Sequence, residues 1–202
     1  SAVHQAGFIT AQISVPPQNV SDGTLTLHYL PGYLSGYRDK EGGDAHFGLN
    51  LIFPQRADGQ LNIRDTELGM SHLNQLPGLG AQAAVEPDPQ NPGNSIITIT
   101  RQKKRSISGS LEISNYGSPS TGSRQITNRL SLENPLQLYD RLFIYTLRDM
   151  DRDHSAGVKF IYGQYRIPFR YWEFTAGGSY SEQKQQYPVY RGSLDYFTRS
   201  KT

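Results

Sequence analysis

The sequence predicts an α+β unit followed by a series of antiparallel, amphipathic β-strands. Three observations support this prediction: a helical apolar stripe within residues 63–75, strand patterns on both sides of that stripe, and strict alternation of apolar and polar residues in three later segments. A period of two gives each strand one apolar face and one polar face. The alternating segments are Ser106–Ser114, Gln125–Glu133 and Trp172–Tyr180.

The first 32 residues predict a β-hairpin. Residues 9–15 alternate in polarity, and Pro16 with Pro17 ends the pattern because proline cannot donate to a strand ladder. Alternation returns in residues 24–30 after a turn. Two strands alone are marginal in water, so we expect the hairpin to have a partner.

The next part of the chain has the predicted order β-α-α-β-β. Its elements are a strand at 33–39, a short helix capped by Asp44 and ending at Phe53, a helix at 63–75, and strands at 82–86 and 96–100. Asn62 is the predicted cap of the second helix, and Pro77 with Gly78 stops it. We expect this helix to bury an inner stripe of Leu68, Met70, Leu73 and Leu76.

Three further strands are predicted after residue 140, at 142–147, 158–165 and 194–197. Turns are predicted at Asn134-Pro135, Asp149–His154 and Pro168. Two architectures fit such a meander: a soluble sandwich, whose apolar face meets a second sheet, and a membrane barrel, whose apolar face meets lipid. The pattern alone favours the sandwich, because soluble β proteins are far commoner.

Composition excludes several classes of function. The 202 residues carry a formal charge of only +2, with no basic block that would suggest nucleic-acid binding. There is no cysteine, which rules out disulfides and thiolate metal sites. No window is apolar enough for a transmembrane helix, and residues 1–5 show no signal-peptide pattern, so an exported protein would be mature or truncated here.

The sequence predicts no catalytic, metal or cofactor site, and therefore no enzyme. Asp149, Asp151, Asp153 and His154 are spaced as oxygen ligands sometimes are, but the glycine and the distant glutamate of a calcium loop do not fit. No nucleophile elbow frames a serine. Gly42-Gly43 and Gly177-Gly178 lack the helix and lysine of a phosphate loop.

Four segments, residues 7–27, 61–77, 106–116 and 132–140, match one known family in the same order along the chain. They resemble, in turn, the last strands of a first POTRA domain, a helix of a second, the first barrel strand and the turn after the second barrel strand of the TpsB family of outer-membrane transporters, the Gram-negative partners of two-partner secretion. This family combines POTRA domains with a transmembrane barrel and belongs to the Omp85 superfamily; it includes haemolysin secretion/activation proteins, filamentous haemagglutinin transporters and contact-dependent-inhibition transporters.

The resemblance implies a domain organisation. Residues 1–32 would be the C-terminal hairpin of a first POTRA domain, residues 33–103 a second POTRA domain of fold α+β, and residues 104–202 the first five or six strands of an antiparallel transmembrane β-barrel. The front of the first POTRA domain and most of the barrel strands are absent, so the chain is expected to be a fragment. The POTRA part would lie in the periplasm and the barrel in the outer membrane.

The resemblance also implies the partners. A TpsB transporter recognises a secreted TpsA exoprotein (a haemolysin, adhesin or contact-inhibition toxin) and exports it unfolded through its barrel pore, as a monomer when full length, without a cofactor and without nucleic acid. The edge strand expected to bind this client consists of Ala81, Gln82, Ala83, Ala84, Val85 and Glu86. The residues expected to face lipid are Ile107, Leu111, Ile113, Leu130, Leu132, Phe174 and Tyr180.

Two other functions compete with this interpretation. One is an Omp85-type barrel-assembly protein; the Asn134-Pro135-Leu136 turn and the Pro16-Pro17-Gln18 hairpin argue against it. The other is a soluble β-rich module that binds a surface or carbohydrate, in which Trp172 and nearby tyrosines would stack on sugars. Dependence on detergent separates the soluble module from both membrane proteins.

Overall fold

The computed structural model describes residues 5–21, 23–40, 43–44, 47–102, 106–118, 122–150, 157–190 and 192–202. The chain divides into two compact units. The first comprises residues 1–104 together with Pro168–Glu173, and the second comprises residues 105–167 and 174–202. No helix among the described residues is long and apolar enough to cross a membrane.

The first unit contains a two-stranded hairpin and a mixed four-stranded sheet with two helices. Its elements are β1 (Gln12–Ser14), β2 (His28–Leu30), β3 (Tyr33–Asp39), β4 (Gly43–Asp44), α1 (Phe47–Ile52), α2 (Ile63–Asn74), β5 (Ala81–Pro87) and β6 (Asn94–Arg101). The β1–β2 hairpin is confirmed but is only three residue pairs long, shorter than the alternating pattern predicted. Asp44 lies in β4, where it pairs with Arg38 of β3, so the prediction that Asp44 caps α1 was wrong.

The four-stranded sheet has the order β4-β3-β6-β5, with β3 and β6 parallel and β5 antiparallel to β6. Its core contains aliphatic and aromatic side chains from the two helices, β3, β6 and the loops between them. The buried members are Leu34, Tyr37, Leu49, Ile52, Phe53, Leu61, Leu73, Leu76, Ile97 and Ile99. The predicted order β-α-α-β-β is therefore confirmed, with the short β4 as an addition.

Helix α2 begins as predicted. The side chain of Asn62 accepts a hydrogen bond from the backbone N–H of Arg64 at 3.0 Å, which satisfies one of the free donors of the first turn. Leu73 and, just beyond the helix, Leu76 are fully buried.

The prediction that Leu68 and Met70 belong to the buried stripe of α2 was wrong. Leu68 and Met70 are only partly buried, whereas Thr66, Gly69 and His72 are buried in their place. The ring of Phe53 lies against Gly69, so closely that a Cβ atom there would be 2.1 Å from Phe53 Cδ1.

The segment Pro168–Glu173 contributes three contacts to the first unit. The backbone N–H of Arg170 donates to the Leu51 carbonyl at 2.8 Å, and the Arg170 carbonyl accepts from His72 Nε2 at 2.9 Å. The Tyr171 hydroxyl donates to Asp65 Oδ1 at 2.9 Å. Arg170 has φ of 52°, a left-handed conformation that lets the chain reverse within two residues.

The second unit is one six-stranded antiparallel sheet in which each strand pairs with its neighbour in sequence. Its strands are β7 (Ile107–Ser114), β8 (Gln125–Glu133), β9 (Arg141–Asp149), β10 (Gly157–Phe169), β11 (Trp172–Val189) and β12 (Gly192–Lys201). The bounds of β8 are as predicted. Pro168 lies inside β10 and not in a turn, so that prediction was wrong. The predicted strand Trp172–Tyr180 lies within β11, which continues nine residues further to Val189.

Candidate strand-binding edge and amphipathic sheet

Strand β5 forms one edge of the four-stranded sheet. It pairs with β6 along its whole length, and no other described strand pairs with its outer side. All six residues predicted to bind a client, Ala81 to Glu86, belong to this strand. Ala81 is buried, and the remaining five are exposed.

The backbone hydrogen bonds at the two ends of the β5–β6 ladder show which donors face outward. The N–H of Asp88 donates to the Asn94 carbonyl, and the N–H of Gln102 donates to the Gly80 carbonyl. In an antiparallel pair, residues that bond across the ladder alternate with residues that do not. Even-numbered residues of β5 therefore bond to β6, and the odd-numbered residues present their backbone groups at the free edge.

This alternation leaves two outward donors, the N–H groups of Ala83 and Val85. The N–H of Ala81 already donates to the side chain of Asn74 at 3.1 Å, and Pro87 has no N–H to donate. Outward carbonyls remain at all four odd positions. The sequence located the strand, but this count of donors required the register.

The chain after β5 turns sharply around Asp88. Its carboxylate accepts from the Ser35 hydroxyl at 2.5 Å, the Asn91 amide at 2.8 Å and the backbone N–H of Gln90 at 2.9 Å. The bonds from the Ser35 and Asn91 side chains are the largest causes that lower the pKa of Asp88 to about 2. Because these bonds fix the turn, they also fix the end of the edge strand.

A second electrostatic feature lies in the core of the first unit. Burial raises the pKa of Tyr37 well above its usual value, and the nearby Asp65 carboxylate raises it further. The Tyr37 ring stacks on Phe53 with centroids 4.3 Å apart, and its hydroxyl donates to the Gln55 carbonyl at 3.2 Å. Tyr37 is therefore a neutral, hydrogen-bonded core residue and not a candidate for proton transfer.

The second unit has one apolar outward face. Ile107 lies directly opposite Leu132 and Ile113 opposite Ile126, so these side chains share a face with Leu111 and Leu130. On β11, Phe174 and Tyr180 are six residues apart and share a face with each other. Five of the seven residues predicted to face lipid are exposed, with Leu111 and Ile113 at 64%; Leu132 and Tyr180 are half-buried.

The opposite face of this sheet is polar on β7 and β8, and on β9 and β10 it also carries the aromatic pairs Phe143–Tyr162 and Tyr145–Phe160. Thr127, Ser131 and Glu133 are buried on it, and Arg141 Nε donates to the Ser131 hydroxyl at 2.9 Å. Towards the middle of the strands, Arg129 pairs with Glu112 at 3.1 Å.

A cavity of about 250 Å³ opens on the polar face, lined by Arg141, Phe143, Gln164 and Arg166. Arg141 and Arg166 lie directly opposite each other in the β9–β10 register. Sequence reasoning missed this cavity because the two arginines are 25 residues apart and only the strand register brings them together.

The turn between β8 and β9 has an internal hydrogen-bond network. The buried Asp140 carboxylate accepts from the backbone N–H groups of Leu136 and Leu138 and from the Tyr165 hydroxyl, the last at 2.7 Å. Asn134 accepts from the N–H of Tyr139 at 2.7 Å. Asn134, Gln137 and Tyr139 all have positive φ, so this network holds three left-handed residues without a glycine.

Nothing in the described residues suggests a metal centre. They contain no group of three or more histidine or carboxylate side chains that could hold an ion. Asp151, Asp153 and His154 of the loop considered above lie outside the described residues. Asp149 lies within them, and its carboxylate accepts from the backbone N–H of Val158 at 3.1 Å.

Comparison with known proteins identifies the family. Residues 93–202 match the family described as haemolysin secretion/activation protein ShlB/FhaC/HecB. The chain belongs to this family. Among curated relatives, outer membrane transporter CdiB of Escherichia coli is 33% identical over 173 residues, which are 82% of this chain and 29% of that relative. Hemolysin transporter protein HpmB of Proteus mirabilis is 28% identical over 178 residues, 88% of this chain and 31% of HpmB.

Solved structures agree with this assignment. CdiB from Escherichia coli has a TM-score of 0.85 at 28% identity, over 96% of this chain and 36% of the CdiB chain. BamA from Haemophilus ducreyi, lacking POTRA domains 1–3, has a TM-score of 0.55 at 14% identity, over 96% of this chain and 37% of the BamA chain, and so shares the fold alone. The six-stranded sheet fits the barrel strands of these proteins.

The resemblance to TpsB transporters is therefore confirmed, and the family is one of transporters and not of enzymes. Its relatives are outer membrane and haemolysin transporters. The chain spans about a third or less of the length of the curated relatives it matches.

Proposed function

We propose that this segment belongs to a transporter of two-partner secretion that recognises a TpsA exoprotein in the periplasm and exports it through an outer-membrane barrel. In this proposal residues 1–32 end a first POTRA domain, residues 33–103 form a second, and residues 104–202 begin the barrel. The family match and the six-stranded meander support the barrel part. The β-α-α-β-β order of the first unit supports the POTRA part.

The observation that carries the recognition step is the open edge of β5. An unfolded client offers backbone donors and acceptors but no fixed side-chain surface, so strand addition suits it better than a shaped pocket. The two outward N–H groups of Ala83 and Val85 and the outward carbonyls beside them match such a partner. Small side chains at Ala83 and Ala84 leave room for a second backbone to approach.

The apolar outward face supports the transport step. Its exposed isoleucine, leucine and phenylalanine side chains would be unfavourable in water over so large an area, and they suit acyl chains. The polar face, with its paired and hydrogen-bonded charges, would line a wet interior. Barrel assembly is less well supported, because BamA shares the fold alone whereas the more similar relatives are named transporters.

A proline scan of β5 tests the recognition step. In the full-length transporter, Val85→Pro removes an outward donor, whereas Val85→Ala shortens the side chain and keeps that donor. Since one neutral hydrogen bond is worth about 0.5–1.5 kcal/mol, Val85→Pro should weaken binding of the amino-terminal domain of the cognate TpsA about two- to tenfold. Val85→Ala should bind within about twofold of the wild type, because side-chain truncation spares the ladder.

Ala84→Pro provides the contrast within the same strand. Its N–H faces β6, so this proline should disrupt the sheet itself and increase hydrogen exchange in β6. If Val85→Pro leaves both the affinity and the exchange of β6 unchanged, the edge is not the docking site for the client.

A further inference from the structure

Three basic side chains, those of Arg148, Lys159 and Arg199, stand on the apolar outward face of the second unit. We refer to them as the basic cluster. Arg148 and Lys159 are exposed, and the Arg199 side chain is 59% exposed. Charges on a face otherwise rich in exposed isoleucine and leucine require an explanation, because an arginine is strongly disfavoured against acyl chains.

The strand register shows that the first two members share the apolar face. Lys159 lies directly opposite Arg148, which lies opposite Ile126, which in turn lies opposite Ile113. Residues directly opposite one another in a sheet project from the same face. These four side chains therefore form one row across β7 to β10.

Tyr180 connects this row to the third member of the cluster. Lys159 Nζ is 5.8 Å from the centroid of the Tyr180 ring, which places the tyrosine on the same face. On β11 and β12, Glu182 lies opposite Arg199, and Tyr180 lies opposite Lys201. The Tyr180 hydroxyl donates to Glu182 at 2.8 Å, and Arg199 Nη2 is 3.9 Å from the same carboxylate.

The charges around this row do not balance. On this face of β11 and β12, the residue pairs from Tyr180–Lys201 to Gln186–Asp195 include two acidic residues, Glu182 opposite Arg199 and Asp195 opposite Gln186. Lys184 and Lys201 share the face and are also exposed. The cluster therefore keeps an excess of positive charge that could bind an anion.

The cluster stands at one end of the apolar face. Trp172 and Tyr180 are eight residues apart on β11, which at about 3.3 Å per residue is roughly 26 Å along the strand. A strand tilt of about 40° reduces this span to roughly 20 Å, close to the apolar band of about 25 Å in outer-membrane barrels. The two aromatic residues would mark the two interfaces, and the row of Lys159 lies at the Tyr180 end.

We propose that the basic cluster binds the phosphate groups of an anionic lipid headgroup. Arg148 and Lys159 lie side by side and offer a guanidinium and an ammonium group to phosphate, while Arg199 lies on β12, beyond β11. Tyr180 adds a ring at the depth where acyl chains meet headgroups. Lipid is the source favoured here because the cluster is continuous with the apolar face, where a soluble anion would have no further contact. This inference rests on the membrane position proposed above for the sheet.

The test uses full-length transporter in phosphatidylcholine nanodiscs doped with fluorescent lipid A, a lipid that carries two phosphates. Wild type is compared with the triple variant Arg148→Gln/Lys159→Gln/Arg199→Gln, with the single variant Lys159→Gln, and with Arg129→Gln. Arg129 serves as the matched control because it loses the same charge on the polar face. Resistance of the folded barrel to unfolding by detergent on unheated gels shows that each variant has inserted.

We expect lipid A binding to fall about fivefold for each basic residue removed, and Arg129→Gln to bind as the wild type does. Dephosphorylated lipid A should bind equally weakly to all four proteins. Equal binding of lipid A by wild type and the triple variant, with both inserted, would overturn the inference while leaving the transporter proposal intact. Displacement of lipid A by millimolar inorganic phosphate would also overturn it, by showing an anion site without lipid preference. A wild type that does not insert into nanodiscs would overturn both proposals.

Discussion

Replacing Gly69 by alanine separates two opposing effects in helix α2. At an exposed helix position this change stabilises by about 1 kcal/mol, because glycine is the poorer helix former. Gly69, however, is buried, and an added Cβ would lie 2.1 Å from Cδ1 and 2.3 Å from Cε1 of Phe53. Both distances are far below van der Waals contact, so the ring or the helix must move.

The surroundings of Phe53 leave its ring little room. The side chain is 1% exposed, and its ring stacks on the buried Tyr37 ring at a centroid distance of 4.3 Å. Overpacking of this kind costs about 1–3 kcal/mol, and the depth of the overlap favours the upper end. After the gain in helix propensity is subtracted, Gly69→Ala should destabilise the first unit by about 1–2 kcal/mol.

Hydrogen exchange measured on peptides from α2 in the full-length protein gives the free energy of local opening. Ser71→Ala, at an exposed position of the same helix, is the control and should be neutral or slightly stabilising. Adding Phe53→Leu to Gly69→Ala should recover part of the loss, since contacting residues are not additive. An α2 that is as stable or more stable in Gly69→Ala would show that the glycine is not required by packing.

Two further predictions concern the pH response and the sheet. Because the pKa of Asp88 is lowered to about 2, its hydrogen bonds stabilise the folded state at pH values above about 4, the usual pKa of an aspartate, and this stabilisation is lost as the pH falls towards about 2. Hydrogen exchange in β5 and β6 should therefore increase over this pH range in the wild type but not in Asp88→Asn. A pH profile of the variant that overlays the wild type would contradict this. In full-length protein, Leu111→Cys should react with a lipid-soluble maleimide and resist a charged one, whereas Ser110→Cys, on the other face, should not show that preference. Protection of Leu111→Cys from both reagents would mean that protein, not lipid, covers the apolar face.

Local sequence patterns predicted a helix or strand best where its residue types depend only on its own geometry and not on its packing partners. The bounds of β8 follow from strict alternation between residues 125 and 133, and Asn62 was identified as a cap because its side-chain chemistry is local. The inner face of α2 was predicted poorly. Its contact with Phe53 requires a residue without a side chain, so the most closely packed position, Gly69, carries no hydrophobic signal.

Long-range pairing accounts for the other differences. The alternating pattern was recognised only as far as Tyr180, but ten residue pairs with β12 continue the strand to Val189. Pro168 remains in β10 because the register with β9 ends at Arg166, so no ladder bond to β9 is lost there. The outward donors of β5 and the cavity beside Arg166 likewise depend on register, which single-residue patterns do not contain.

If a client strand binds as proposed, the open edge of β5 would also limit how long that strand can remain. With the Ala81 N–H held by Asn74 and no N–H at Pro87, an incoming segment meets donors only at Ala83 and Val85. The outward carbonyls can still accept from the client, but at about 1 kcal/mol per bond the loss of two donors should speed dissociation, and differences in affinity between related complexes appear mainly in that rate. Such an edge would hold each client segment briefly and then release it, so that the next segment of the client can bind. Substitutions that lengthen the ladder, such as Pro87→Val, would be expected to slow secretion by retaining the client.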